Sequence, residues 1–325
     1  MSGDAVGPAG TMLVTGATGF VGRALLDEAI ARGYSVRAAV RRAGADLPPA
    51  VRVVEPATPG GPPDWPAALD GVDVVVHLAA RVHVMRESHG DPLGEFRRVN
   101  VDATAALAEA AARAGVRRLV FASSVKVLGE ATEPGRPFDD RSEPRPLDPY
   151  GRSKLEAEQR LLALAATGRL EVSVLRPPLV YGPGVKGNLG RLLSWVQAGV
   201  PLPLGAVDNR RSLIGLDNLV DALLAVARHP GARNRCFLVA DGEDLSTPEL
   251  ARRIGRAIGR PARLVSVPPA LLVAGSRLGG GESLRRLLES LQIDAGGLRD
   301  AIGWAPTRTV DAGLARLAQG RPVRG

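Results

Sequence analysis

The chain has 325 residues, 45% hydrophobic and 23% charged, with a formal net charge of +8; this suits a globular protein able to bury a full core. Acidic residues lie between the basic ones and aromatics are only 3%, too few for base-stacking platforms, so no nucleic-acid partner is expected. No run of eighteen apolar residues occurs, the opening MSGDAVGPAG lacks the basic and apolar regions of a signal peptide, and Cys236 is a lone, small buried thiol. A cytoplasmic protein with no membrane partner and no disulfide is therefore expected.

In chain order, TMLVTGATGFVGRALLDEAIARGYSVRAAVRR (11–42) reads as a buried strand at Met12–Val14, a glycine turn, an amphipathic helix and a second strand. Ala24, Leu25, Ala29 and Ile30 form the apolar face of that helix. Residues 43–66 hold one weak strand in a Pro/Gly-rich loop. A strand follows at 72–80, a helix at 100–115, a strand at 117–124, a helix at 149–166 and a strand at 170–178. Near-continuous apolar strands alternating with helices predict an α/β, Rossmann-type doubly wound fold with a parallel sheet covered on both faces. Residues 1–178 would form the dinucleotide-binding domain, to which 213–240 returns. Residues 179–325 would form mainly a smaller substrate-binding lobe, in which STPELARRIGRAIG is a capped helix with Ser246 at its N-cap and Glu249 three residues on.

Gly16, Gly19 and Gly22, with Phe20 and Val21 between them, follow a strand and open a helix. Tight turning, close approach of backbone N–H groups and a helix N-terminus suit a pyrophosphate. Arg41 and Arg42 lie about 20 residues past the glycines, where an NAD site would carry Asp or Glu for the ribose 2′-OH. A missing carboxylate and a guanidinium suited to a 2′-phosphate make NADP(H) the expected cofactor and NAD(H) the alternative.

Arginine dominates the basic residues, and the lysines are Lys126, Lys154 and Lys186 alone. With so few, a Lys four residues after a Tyr is a roughly 3% coincidence, which makes Tyr150 and Lys154 a candidate pair for chemistry. On a helix the two share a face, and a nearby ammonium favours phenolate, moving the tyrosine toward general acid–base work.

TGATGFVG, VHLAA, VNVDAT, FASSVKVLGE, DPYGRSK, LRPPLVYGPG and RRSLIGLDNLVD, in that order, resemble an extended short-chain dehydrogenase/reductase of the nucleotide-sugar branch. The likeness covers nearly the whole chain and is strongest over 11–185. It implies a Ser–Tyr–Lys constellation of Ser124 (Ser123 as fallback), Tyr150 and Lys154. Tyr150 would exchange a proton with sugar O4, Ser124 would hydrogen-bond O4, and Lys154 would hold the cofactor ribose and depress the tyrosine pKa. It also implies cofactor contacts at Leu78, Ala79 and Ala80, and an Asn100 that supports the site's backbone, although a helix-start cap would explain that asparagine as well.

For the substrate, a UDP-sugar, the resemblance implies Arg211 as a diphosphate clamp and Asn188 and Leu189 as contacts to the nucleotide diphosphate, with Lys186 beside them; Lys126 is a further expected substrate contact. Leu179 stands where relatives carry a substrate-binding Asn, and Arg285 or Arg286 could supply a second clamp. Dehydratases of this branch carry Asp-Glu after the catalytic hydroxyl; Val125-Lys126 here excludes elimination. The wording is closest to 4-ketoreductases that make UDP-N-acetylquinovosamine, so reduction of a UDP-4-keto-6-deoxy-hexosamine is the expected reaction. An NAD-dependent UDP-hexose 4-epimerase is the alternative, and a non-catalytic cofactor-binding scaffold the minor one. A homodimer through the helices at 100–115 and 149–166 is implied by the resemblance. His77, His83, His89 and His229 show no metal spacing; they read as structural or surface residues, with His83 a candidate for the pocket wall.

Overall fold

The computed structural model describes residues 10–56, 58, 61–82, 91–276 and 281–319. His83 and His89 lie outside them. The first half alternates strands and helices, with α2 and α3 beyond those expected: β1 (Thr11–Thr15), α1 (Phe20–Ala31), β2 (Ser35–Ala39), β3 (Arg52–Val54), α2 (Trp65–Leu69), β4 (Val74–His77), α3 (Pro92–Arg97), α4 (Ala103–Arg113), β5 (Arg118–Ala122), α5 (Pro149–Ala166) and β6 (Glu171–Arg176). Then come β7 (Leu179–Tyr181), α6 (Gly187–Ala198), β8 (Arg211–Gly215), α7 (Leu216–Arg228), β9 (Arg235–Leu238), β10 (Asp244–Leu245), α8 (Thr247–Ala257), α9 (Pro269–Ser276), α10 (Gly281–Leu288), α11 (Gly296–Ile302) and α12 (Val310–Gln319).

A seven-stranded sheet in the order β3-β2-β1-β4-β5-β6-β9 forms the centre of one compact unit, comprising residues 1–127, 144–176 and 220–237. The pairings from β3 through β6 are all parallel. Such strands are buried on both faces, which is why Leu13, Val75, Leu119, Phe121, Val172 and Val174 share one core with Leu107, Leu161 and Leu164 of the covering helices. The chain order reverses between β1 and β4, the switch point at which doubly wound sheets bind ligands beyond the strands' carboxyl ends. The face of α1 differs slightly from expectation: Leu26 completes it with Gly22, Leu25 and Ala29, while Ala24 and Ile30 are partly exposed. Cys236 is half-buried against the core rather than enclosed.

The second unit, residues 128–143, 177–219 and 238–325, carries the small sheet β10-β8-β7 and helices α6 and α8–α12. Its α8 is capped as the sequence predicts, with Ser246 Oγ accepting from the Glu249 N–H at 3.2 Å. Tyr181 is buried against Gly313 and donates its hydroxyl proton to Asp241 at 2.6 Å. Asp241 in turn accepts from Asn218 at 2.7 Å. No described helix is long and apolar enough to cross a membrane.

Candidate active site

The glycine turn is a close-packed corner. Gly16 has φ +70°, and a Cβ there would sit 2.7 Å from the Ala79 nitrogen, so the β1 turn lies directly on the Leu78–Ala79 backbone beyond β4. A Cβ on Gly22 would collide with the Gly16 carbonyl and the Ala17 backbone. The start of α1 has no side-chain cap and no acidic residue in its first turn, so its leading N–H groups remain available. An uncapped helix N-terminus behind a glycine corner fits the pyrophosphate of a dinucleotide. Arg41 and Arg42 are exposed two and three residues past the end of β2.

A directed hydrogen-bond chain runs beneath this corner. Thr104 Oγ1 donates to the Asn100 carbonyl at 2.8 Å, so its contact with His77 Nε2 at 2.8 Å is one in which the ring donates. His77 Nδ1 then accepts from Thr15 Oγ1 at 2.6 Å, and that hydroxyl accepts from the Ala79 N–H at 3.2 Å. Burial, and secondarily the Lys154 charge, push the His77 pKa down to about 3, which keeps the ring in the neutral form the chain requires. His77 is thus structural, and it ties β1, β4 and the Ala79 loop to the segment before α4.

That segment, Arg98–Asp102, is a π-helical turn where a continuous helix was expected. It turns Asn100 inward, 1% exposed. Asn100 accepts from the Arg81 N–H at 2.8 Å and donates to the Arg81 carbonyl and to Ser153 Oγ, each at 3.0 Å. Ser153 passes the link on, donating to the Tyr150 carbonyl at 2.8 Å. Asn100 thus links the Arg81 main chain to the first turn of α5, and the N-cap of α4 is Asp102 instead.

Helix α5 begins where the sequence signals it. Asp148 caps it by accepting from the Gly151 N–H at 2.6 Å, and Pro149 occupies the first turn. This places Tyr150 in the first turn, hydrogen-bonded to Ser124 and edge-on to Phe96 with centroids 6.2 Å apart. Ser124 Oγ also accepts from the Lys126 N–H at 3.2 Å. One turn on, Lys154 is 2% exposed. It donates to the Ala122 carbonyl at 2.6 Å and lies 4.1 Å from the centre of the Phe121 ring. Burial pulls its pKa down to about 7 against the opposing pull of Glu158.

The tyrosine corrects an expectation. Its pKa is raised above the phenol's ordinary value, not lowered. Burial is the main cause, the Asp148 carboxylate adds to it, and the Ser124 hydrogen bond only partly offsets them. The Lys126 ammonium is ion-paired with Asp148. Ser123 Oγ is buried with no hydrogen-bond partner, so a polar group of a bound molecule would satisfy it. Three perturbed groups (His77, Tyr150, Lys154), with the glycine corner and the orphaned Ser123 hydroxyl, mark this as the candidate active site.

In the second unit, Lys186 precedes the first turn of α6 and Asn188 accepts from Arg191. Leu189 is 2% exposed, which leaves its main chain alone to meet a ligand. Arg211 is largely buried and donates to the carbonyls of Arg286 and Glu289 at 2.8 and 2.9 Å. Leu179 is partly exposed at the start of β7. Glu130, 8% exposed, pairs with Arg285 at 2.9 Å and Arg286 at 3.6 Å. Glu130, which ends the FASSVKVLGE motif, and, in the first unit, Phe96 of the short α3 and Arg81 were given no role from the sequence. His229 is exposed and caps the turn after α7, its Nδ1 accepting from the Gly231 N–H at 3.1 Å.

Residues 12–240 match the NAD dependent epimerase/dehydratase family. The chain is 40% identical over 315 residues to a UDP-glucose 4-epimerase of Vibrio cholerae, an alignment covering 95% of this chain and 94% of that protein. It is 32% identical over 308 residues to a 3-diazoavenalumate denitrifying reductase of Streptomyces sp, covering 91% and 96%. A structure of MoeE5 in complex with UDP-glucose and NAD superposes with a TM-score of 0.76 at 28% identity, covering 96% of this chain and 98% of the other. With a glycine corner, a buried Lys and a Ser–Tyr pair in place, the chain is an enzyme and belongs to the NAD dependent epimerase/dehydratase family.

Proposed function

We propose that the protein is an NAD-dependent UDP-hexose 4-epimerase. The carrying observation is the Ser124–Tyr150 hydrogen bond with Lys154 buried one helical turn away, in a chain alignable over nearly its full length with a relative named for that activity. This reverses the order of preference drawn from sequence, where a 4-ketoreductase stood first.

The chemistry a bound NAD supplies is reversible acceptance of hydride from sugar C4. In its ionised form, which the Ser124 hydrogen bond favours against burial and Asp148, Tyr150 Oη would take the proton from O4 as the alcohol becomes a ketone and give it back on reduction. Ser124, sharing the phenol's hydrogen bond, fixes where that oxygen points. Lys154, anchored on the Ala122 carbonyl, would supply buried positive charge in its protonated form, which is lost as pH rises through about 7. The uncapped start of α1, the Gly16–Gly22 corner and the orphaned Ser123 hydroxyl would hold the cofactor; Arg211, Lys186 and the α6 N-terminus suit a nucleotide diphosphate. Dehydration is disfavoured because Val125 is buried and Lys126 is tied to Asp148, leaving no carboxylate at those positions for elimination.

A second reading, the UDP-4-keto-6-deoxy-hexosamine reductase, is favoured by the exposed Arg41 and Arg42 and the absent carboxylate after β2, which suit NADP(H). The two separate in one experiment: purified protein with UDP-glucose or UDP-N-acetylglucosamine and no added nicotinamide. The 4-epimer accumulating, with NAD released on denaturation, is expected. No epimer, together with stoichiometric NADPH oxidation on the 4-keto-6-deoxy sugar, would replace the epimerase by the reductase.

A further inference from the structure

Lys126 touches both sides of the Ser124–Tyr150 hydrogen bond without belonging to it. It sits in the single helical turn Val125–Val127 that follows Ser124. Its backbone N–H donates to Ser124 Oγ at 3.2 Å, which occupies an acceptor position on that hydroxyl and leaves the serine proton for the phenol oxygen. Its carbonyl lies against the first turn of α5: a Cβ on Gly151 would be 2.7 Å from the Lys126 oxygen. Its ammonium is ion-paired with Asp148, and the two side chains are only 18% and 17% exposed. Asp148 divides its carboxylate between two tasks. Oδ1 accepts from the Gly151 N–H at 2.6 Å to cap α5, and Oδ2 takes the ammonium. The chain leading to the cap returns to the same turn, the Arg145 N–H donating to the Val127 carbonyl at 3.0 Å.

These contacts close a ring from Ser124 through Lys126, Asp148 and the start of α5 to Tyr150 and back. Proton transfer needs its groups within hydrogen-bond reach, and a displacement of about 1 Å costs about 10²-fold in rate. We propose, on the assignment of Ser124 and Tyr150 to the reaction, that Lys126 is a positioning residue whose side chain clamps the Ser124 turn onto the start of α5. An exposed ion pair would contribute little to such a clamp, but this one is shielded from water and shares its carboxylate with a helix cap. The ammonium also offsets the Asp148 charge that acts on the phenol. The charges on the packed α3 and the turn after it are matched elsewhere, Arg97 with Glu156 at 2.7 Å and Glu95 with Arg98 at 2.9 Å, and Lys154 lies one turn along α5.

The variants K126M, K126R, D148N and K126M/D148N test this. Each is assayed for epimerisation of UDP-glucose and for NADPH-dependent reduction of the 4-keto-6-deoxy sugar, because the Ser124–Tyr150 pair serves either reaction. K126M should lower kcat about tenfold or more while KM stays within about twofold, and K126R should recover most of the loss. The acidic limb of the pH–rate profile should move to higher pH in K126M, where Asp148 loses its counter-charge, and to lower pH in D148N. The double variant should lose no more than K126M, since the pair acts as a unit. Wild-type kcat in K126M would overturn the proposal, and a loss confined to KM would overturn it in favour of a substrate contact. D148N keeps the cap and carries the pH test if K126M does not fold. A wild-type chain inactive in both assays would defeat the functional reading and still leave a direct readout of the clamp. The chain has three tyrosines, so the Cζ resonance of isotopically labelled Tyr150 is assigned by its loss in Y150F. It should shift in both K126M and D148N; an unmoved resonance in both would overturn the clamp whatever the activity.

Discussion

At the scale of single residues, the chemistry rests on one phenol whose surroundings pull in opposite directions. Burial and Asp148 favour neutral Tyr150, and Ser124 favours the ionised form. Tyr150→Phe should lower kcat by about 10²–10⁴. Its thermal midpoint should move little, because a single hydrogen bond is worth about 1 kcal/mol. Asp148→Asn keeps an equally good N-cap for α5 but removes a charge that raises the tyrosine pKa, and it also releases the Lys126 ammonium. Both changes lower that pKa, so the acidic limb of the pH–rate profile should shift toward lower pH by roughly 0.5–1 unit; a shift to higher pH would show that Asp148 acts otherwise. The Tyr–Lys pair was legible because lysine is so scarce. The sign of the tyrosine's shift was not, since it depends on burial and on where the Lys154 and Lys126 side chains go. Those details come from tertiary packing that residue spacing does not encode.

At the scale of elements, legibility followed punctuation. The limits of α5 were readable because Asp-Pro opens it, and β1, β4 and β5 because apolar runs mark buried parallel strands. The short α2 and α3 sit in irregular stretches and were missed, although each carries an Asp cap followed by proline in its first turn. The π-helical turn at Arg98–Asp102 was read as part of a helix, because one extra residue in a turn leaves the apolar pattern almost unchanged. Yet that turn is what brings Asn100 to both the Arg81 loop and α5. Asn100→Ala should cost about 2–3 kcal/mol in chemical denaturation by removing three buried hydrogen bonds. It should also lower kcat more than it raises KM, since Tyr150 loses its support; unchanged kcat with the same stability loss would reduce Asn100 to a purely structural residue.

At the scale of the whole molecule, α7 begins in the second compact unit and ends in the first. No composition shift could mark a boundary inside one continuous amphipathic helix. Helix α9 was unread for the opposite reason: it is apolar on every side and has no period to detect. Much of the positive charge is tied up in ion pairs, Arg253 with Glu243, Glu249 and Asp311, and Arg285 and Arg286 with Glu130. Several others are structural: Arg118, 1% exposed, joins Glu171 of β6 to the carbonyls at the end of α7, and Arg176 is paired with buried Glu158.

The central claim is that hydride leaves sugar C4 and returns to the same carbon within one active site, with Tyr150 handling the proton. It is tested most directly with UDP-glucose deuterated at C4, incubated with the enzyme in ordinary water beside excess unlabelled free NADH. The account predicts that the epimer forms and keeps its deuterium. Loss of the label to the nicotinamide pool, or no epimer at all, would contradict it.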